Sequence, residues 1–304
     1  MTAWLAGCMR VVIAGASGFL GTHLTQHLRA HGHEVTTLVR REPRSEHESQ
    51  WDPATGHIDT AAIARADAVV NLAGASIAAN PHSKKHAEEV LESRVSTTAV
   101  LAGAIAAAER PPAFLAGNGI SVYGDHGATP LTEESASVGD AFLTTVARAW
   151  EEAAEPARAA GARVCVLRTA PVMDSSSPPL KQLRLLFKAG LGARLGSGEQ
   201  YFPMISLRDW IGAVAYLIES RDVSGPFNLC CPTTPTNAEF TRALADAVGR
   251  KAFFVAPAAV LKVAAGNMSP ELLGSVNARP AALERAGYDF EDEDVREVLS
   301  AALA

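Results

Sequence analysis

Val11-Val12-Ile13-Ala14-Gly15-Ala16-Ser17-Gly18-Phe19-Leu20-Gly21 is the stretch that decides the fold. Four apolar residues make a short buried strand, and three glycines follow at G-x-x-G-x-x-G spacing. An amphipathic stretch then runs from Phe19 to about His31 and meets Gly32, a favourable residue just past a helix end. Strand, glycine loop and helix in that order form the context in which the motif holds a dinucleotide. Gly15 turns the chain tightly out of the strand, Gly18 lets backbone N–H groups approach a pyrophosphate, and Gly21 lets the helix pack on the sheet. The positive end of the helix dipole then faces the phosphates. The motif nominates Gly15, Ser17, Gly18, Phe19, Leu20 and Gly21 as cofactor-binding residues.

Residues 33–39 read as the second strand, with Val35, Leu38 and Val39 apolar, and it ends in Arg40-Arg41. An NAD binder places Asp or Glu about twenty residues past the glycine loop, on the ribose 2′-OH, whereas an Arg there accommodates the 2′-phosphate of NADP. The first acid after the strand is Glu42, beyond both arginines. NADP(H) is therefore expected over NAD(H), with Arg40 or Arg41 as its reader and the other an ordinary solvated charge.

At 304 residues the chain is long enough for one large α/β domain and a smaller lobe. It is 48% hydrophobic and 20% charged, so it can bury a full core. A net charge of −6 gives no basic footprint for nucleic acid. Cys8, Cys165, Cys230 and Cys231 show no C-x-x-C spacing, no metal-ligand set is visible, and the cysteines read as thiols of a reducing compartment. No apolar run reaches the length of a membrane span. Leu5-Ala6-Gly7-Cys8 has the outline of a lipoprotein cleavage box, but no basic stretch precedes it. The expectation is a cytoplasmic protein with a small-molecule substrate and neither nucleic acid nor membrane as partner; oligomeric state is left open.

Further along, apolar strands alternate with helical stretches. Asp67 to Asn71 leads into Leu72-Ala73-Gly74, a strand end with a glycine. Helix is expected over about 83–108 and 140–160, and strands start at Phe114 and Arg163. This rhythm implies a doubly wound parallel sheet with helices on both faces, of Rossmann type, with the ligand beyond the carboxyl ends of the strands. After about Met173 the texture changes. Asp174-Ser-Ser-Ser-Pro-Pro179 is a loop, a basic helix follows, and Thr236-Asn-Ala-Glu239 is a capping box. Residues 1–8 read as an extension and 9–173 as the dinucleotide-binding domain, with 207–231 returning to it. Residues 174–206 and 232–304 read as a smaller, substrate-facing α/β lobe.

From Met9 onward the chain resembles an extended short-chain dehydrogenase/reductase, of the atypical branch called epimerase family proteins, whose C-terminal piece was long a domain of unknown function. The resemblance rests on the glycine loop, Gly32-His33-Glu34-Val35-Thr36, Asn71-Leu72-Ala73-Gly74, Glu92-Ser93-Arg94, Trp150-Glu151, Leu167-Arg168, Gly196-Ser197-Gly198-x-Gln200, Thr236-Asn237-Ala238-Glu239-Phe240 and Arg279-Pro280. It implies a Rossmann fold and NADP(H), with Leu72, Ala73, Glu89, Arg94 and Val172 near the cofactor and Gly74 on the same loop.

Typical members of that family carry Tyr-x-x-x-Lys on one helix face, where the ammonium lowers the phenol pKa and the phenol trades a proton with substrate. Tyr123, Tyr201, Tyr216 and Tyr288 are followed four residues on by Gly127, Ile205, Ser220 and Asp292. The family positions fall at about Leu143 and Ala147, both apolar, and Asn118 or Gly119 stands where a Ser or Thr is usual. Tyr123, with Ser121 and Asn118 beside it past a strand end, is the candidate replacement. Asp125-His126 is a lesser one, and Asp209 reads as a helix cap. Two functions follow. One is an NADP(H)-dependent oxidoreductase or epimerase-like enzyme for a small polar metabolite. The other is an NADP(H)-binding, largely non-catalytic redox-sensing or partner-binding protein.

Overall fold

Val11, Val12, Ile13 and Ala14 are each at most 3% exposed, as a strand covered on both faces requires. They belong to the central strand of an eight-stranded sheet. In this computed structural model, which describes residues 7–77, 80 and 82–304, the sheet runs in the order Gly225–Leu229, Val164–Thr169, Ala113–Gly119, Ala68–Asn71, Arg10–Ala14, Glu34–Val39, Glu48–Asp52, His57–Ile58. Every neighbouring pair is parallel except the last. The chain leaves Arg10–Ala14 toward one edge and returns to its other side at Ala68–Asn71, so the strand order reverses between them. That reversal is the crevice in which doubly wound sheets bind ligands.

Helices cover both faces. Phe19–Ala30 and Leu207–Glu219 bury Leu24, Leu28, Trp210 and Leu217 against one side, while Thr60–Arg65 and Lys84–Ala106 bury Ile63, Leu101 and Ile105 against the other. The α/β doubly wound fold read from the sequence is the one observed. The helix expected over 140–160 is two helices, Phe142–Glu152 and Glu155–Ala159, because Pro156 can only open a helix and stands at the start of the second. The strands Glu48–Asp52 and His57–Ile58 carry too few apolar residues to be read in advance.

The chain crosses between two regions more than once. Phe187, Met204, Phe240, Leu244, Val298 and Leu299, from three separate parts of the second half of the chain, share a core, whereas Leu283 packs in the core of the large sheet. Strand Gly225–Leu229 and the helix before it lie on the large sheet. Two short parallel pairings tie the regions together, Val172–Met173 with Ile205–Ser206 and Pro130–Leu131 with Asn277–Ala278. Of the expected N-terminal extension, only Gly7 and Cys8 are among the described residues, and Cys8 is exposed while the other three cysteines are buried.

Candidate functional site

The glycine loop lies at the sheet's reversal point, and its three glycines differ in what they tolerate. Gly15 has φ +81°, and a Cβ there would stand 2.5 Å from the Leu72 carbonyl carbon. A Cβ on Gly21 would stand 2.3 Å from the Gly15 oxygen. Both glycines let backbone approach backbone, so the fold itself requires them. Gly18 takes the N-cap position of helix Phe19–Ala30 in ordinary extended backbone, and a Cβ there would meet only the Gly15 oxygen, at 3.3 Å. No side chain caps this helix and no acid occupies its first turn. The helix end is thus open beside the exposed Ser17 and Gly18. An open, uncapped helix terminus with a glycine cradle fits a nucleotide pyrophosphate.

At the end of the next strand the two arginines part company. Arg41 is held by Glu48 in a two-pronged pair at 2.8 and 2.6 Å and also donates to the Glu42 carbonyl. That pair and the Arg44 N–H hold the Glu48 carboxyl down to about 2. Arg40 is exposed and makes no hydrogen bond or ion pair among the described residues. The arginine with donors to spare is Arg40.

The third part of this rim is the loop Leu72–Gly74. Asn71 is fully buried, donates to Thr98 Oγ1 at 2.9 Å and accepts from the Ala73 N–H at 3.1 Å, which sets the loop's path. Thr98 in turn accepts from Trp150 Nε1. Over that indole, 5.0 Å from its centre, lies the Arg94 guanidinium, which also packs against Gly74. Arg94 donates to the carbonyls of Ala75 and Val90 and has no carboxylate partner among the described residues; burial pulls its pKa down to about 10. A buried cation with no counterion on the rim of an open helix terminus suits an anionic ligand. Glu89 lies apart from it on the exposed helix face, paired with His86 at 3.4 Å. Val172 is buried in the short strand facing Ile205–Ser206. Asn71, Thr98 and Trp150 escaped the sequence reading as positioning residues, although Asn71 and Trp150 stand in the quoted motifs.

A cleft of about 390 Å³ opens beside the ends of strands Ala113–Gly119 and Val164–Thr169. Ser121, Thr144, Tyr201, Lys262 and Glu271 line it. Ser121 donates to Glu271 Oε2 at 2.6 Å, and burial raises the Glu271 carboxyl above the usual range. Helix Ser269–Leu273 of the smaller lobe supplies the acid, and the turn after strand Ala113–Gly119 supplies the hydroxyl.

Two of the expected catalytic residues are placed elsewhere. Tyr123 is 1% exposed, donates to Asn228 Oδ1 at 2.7 Å and accepts from Arg168 at 2.9 Å, with the Arg168 guanidinium 5.1 Å from its ring centre. Burial pushes its phenol up to about 12. With its hydroxyl engaged on both sides, Tyr123 does not line the cleft. Asn118 spends its amide on the Ala147 carbonyl and its oxygen on the Gly119 N–H, fixing the strand end to helix Phe142–Glu152. Leu143 and Ala147 are buried apolar residues of that helix, so no tyrosine–lysine pair stands there. His126 is hydrogen-bonded to the Ala136 carbonyl on the surface. Asp209 is not the cap of its helix. Ser206 is, and Asp209 sits a turn inside, accepting from the N–H groups of Glu291 and Asp292 and from Tyr288. Among the described residues no cluster of metal-ligating side chains occurs.

Known proteins share this fold. Residues 11–230 match the NAD dependent epimerase/dehydratase family, and residues 256–302 match a domain of unknown function. An epimerase family protein of Mycobacterium bovis, Mb2239, is 40% identical over 295 residues, covering 96% of this chain and 97% of that protein. The crystal structure of human epimerase family protein SDR39U1, isoform 2, with NADPH superposes with a TM-score of 0.86 at 32% identity, covering 97% of this chain and 99% of the human one. A nucleoside-diphosphate sugar epimerase from Corynebacterium glutamicum superposes with a TM-score of 0.81 at 32% identity, covering 98% of this chain and 59% of that one.

Proposed function

This chain belongs to the NAD dependent epimerase/dehydratase family, and from that membership we propose that it is an NADP(H)-dependent oxidoreductase or epimerase-like enzyme acting on a small polar metabolite. The observation that carries the cofactor choice is Arg40, unpaired among the described residues, at the end of strand Glu34–Val39, the strand paired with Arg10–Ala14 that leads into the glycine loop. The NADPH in the human relative supports it. Gly15 to Gly21 would hold the pyrophosphate, Arg40 the 2′-phosphate, and Arg94 a further anionic part of the nucleotide. When bound, the cofactor supplies or accepts a hydride. The chain has to supply the matching proton, and the group we assign to it is Glu271, which accepts from Ser121 inside the cleft.

One observation favours the alternative of a binding protein with little catalysis, namely the buried apolar Leu143 and Ala147 at about the places where the resemblance puts the acid–base pair. The cleft and its carboxyl group favour the enzyme. Calorimetric titration separates the cofactor claims. NADPH should bind the parent protein more tightly than NADH, and Arg40→Ala should lose about tenfold or more toward NADPH while leaving NADH alone, the worth of a charge-assisted hydrogen bond to phosphate. Equal affinities in the parent would overturn the NADP(H) reading. Consumption of NADPH with a panel of carbonyl metabolites tests the enzyme, and no turnover across such a panel would favour the binding protein.

A further inference from the structure

Among the described residues the strongly exposed large apolar side chains, Val138 aside, all fall in segments 185–191 and 253–263. Phe253 is 79% exposed, Val263 78% and Leu185 66%. Scattered exposed hydrophobes need no explanation, but a contiguous group does. The two segments are neighbours in space. Arg250 Nε donates to the Lys188 carbonyl at 3.1 Å. Strand Phe254–Ala256 pairs with Ala193–Leu195, just past the first segment. Helix Ala258–Ala265 continues from that strand and buries none of its residues.

The charge carried by the segments of this face is one-sided. Residues 180–192 and 249–268 contain Lys181, Arg184, Lys188, Arg250, Lys251 and Lys262 and no Asp or Glu, in a chain of net charge −6. None of the six enters an ion pair within the described residues. A second copy of this chain placed symmetrically on the face would bring six positive charges against six, which opposes association. Exposed aromatic and aliphatic side chains among unpaired lysines and arginines suit a surface that is apolar beneath and anionic at its boundary.

We propose that this face docks on an anionic lipid surface, with Phe253, Phe254, Val260, Val263 and Leu185 entering the headgroup boundary and the basic residues meeting lipid phosphates. The expectation of no membrane partner rested on the length of a spanning segment. No helix among the described residues can cross a membrane, and docking on its surface does not require one. Lys262 lines the cleft from the same helix, so the docking face adjoins the cleft mouth.

Flotation of the full chain with vesicles tests this. The protein should float with vesicles of phosphatidylcholine mixed with phosphatidylglycerol. It should stay behind with phosphatidylcholine alone, and high salt should release it. Lys188→Glu with Lys251→Glu should cut recovery at least fivefold, since each basic residue near such a surface is worth roughly fivefold in binding. Phe253→Ser with Val263→Ser should do the same. All four sites are exposed, and an unchanged melting temperature and NADPH affinity would show that the variants fold. Failure to float with anionic vesicles at low salt, or equal binding to neutral ones, would overturn the proposal. So would a concentration-dependent dimer, seen by light scattering, that the same variants dissolve, because the face would then belong to a second copy.

Discussion

At the residue scale, the three loop glycines show what spacing can and cannot say. Their spacing marks the loop, but only the contacts separate the glycines the fold needs from the one it leaves open. A Cβ on Gly21 strikes backbone at 2.3 Å, whereas one on Gly18 finds a single neighbour at 3.3 Å. Gly18→Val should therefore melt close to the parent yet bind NADPH at least about tenfold more weakly, while Gly21→Val should fail to fold stably. A Gly18→Val protein of unchanged affinity would move the site elsewhere. The acid was illegible for a different reason. Glu271 lies 150 residues from its hydroxyl partner, and no local pattern joins them. Tyr123 was visible because phenols are few, but its burial was not. If Glu271 gives the proton in carbonyl reduction, it acts only while protonated. Burial raises its pKa, so the rate should hold to a higher pH than an ordinary glutamate allows and fall as pH rises through that raised value. Glu271→Gln should lower turnover about 10²–10⁴-fold, abolish that limb of the profile and leave NADPH affinity unchanged. Full turnover in the variant would assign the proton to water or another group.

At the scale of elements, apolar runs and caps were legible because they are local. The strand Arg10–Ala14, the helix after it, and the capping box at Thr236 with Glu239 stand where their residues put them. What failed were positions whose meaning is set from far away. Asp209 has the chemistry of a cap, but Ser206 takes that place and frees the carboxylate for residues 288–292. Asp209 is 1% exposed, and Asp209→Ala would take the acceptor from the buried Asp292 N–H and the half-buried Glu291 N–H, while the Tyr288 hydroxyl keeps the Asp209 carbonyl. Each buried polar group left without a partner costs about 1–3 kcal/mol, so urea unfolding should show a loss of about 2–4 kcal/mol. A loss under about 1 kcal/mol would mean that the segment is held chiefly by Arg208, which meets Asp292 at 2.8 Å and Glu291 at 3.3 Å.

At the scale of the molecule, the parallel sheet was legible from the alternation of strands and helices, whereas the joints between its two regions were not. Two-residue strands such as Pro130–Leu131 and Asn277–Ala278 carry no periodicity, yet their pairing bridges the regions. Glu133 adds to the joint. Buried at 6% exposure, its carboxylate accepts from the Asn228 N–H at 3.0 Å and from the Ala282 N–H at 3.0 Å, linking the edge strand of the large sheet to the helix Ala281–Ala286. Regions stitched by shared strands and buried carboxylates lose each other's support when either opens, so the chain should unfold in one cooperative step. A nucleotide bound on the large sheet should then stabilise both regions together. With NADPH at a hundred times its dissociation constant the gain is about 2.7 kcal/mol. Spread over the unfolding entropy of a chain this long, that is a rise of roughly 4 °C in melting temperature. Calorimetry should show a single transition that moves as a whole. Two transitions, of which NADPH shifts only one, would show that the smaller lobe folds on its own and that the bridging strands are weak contacts between independent bodies.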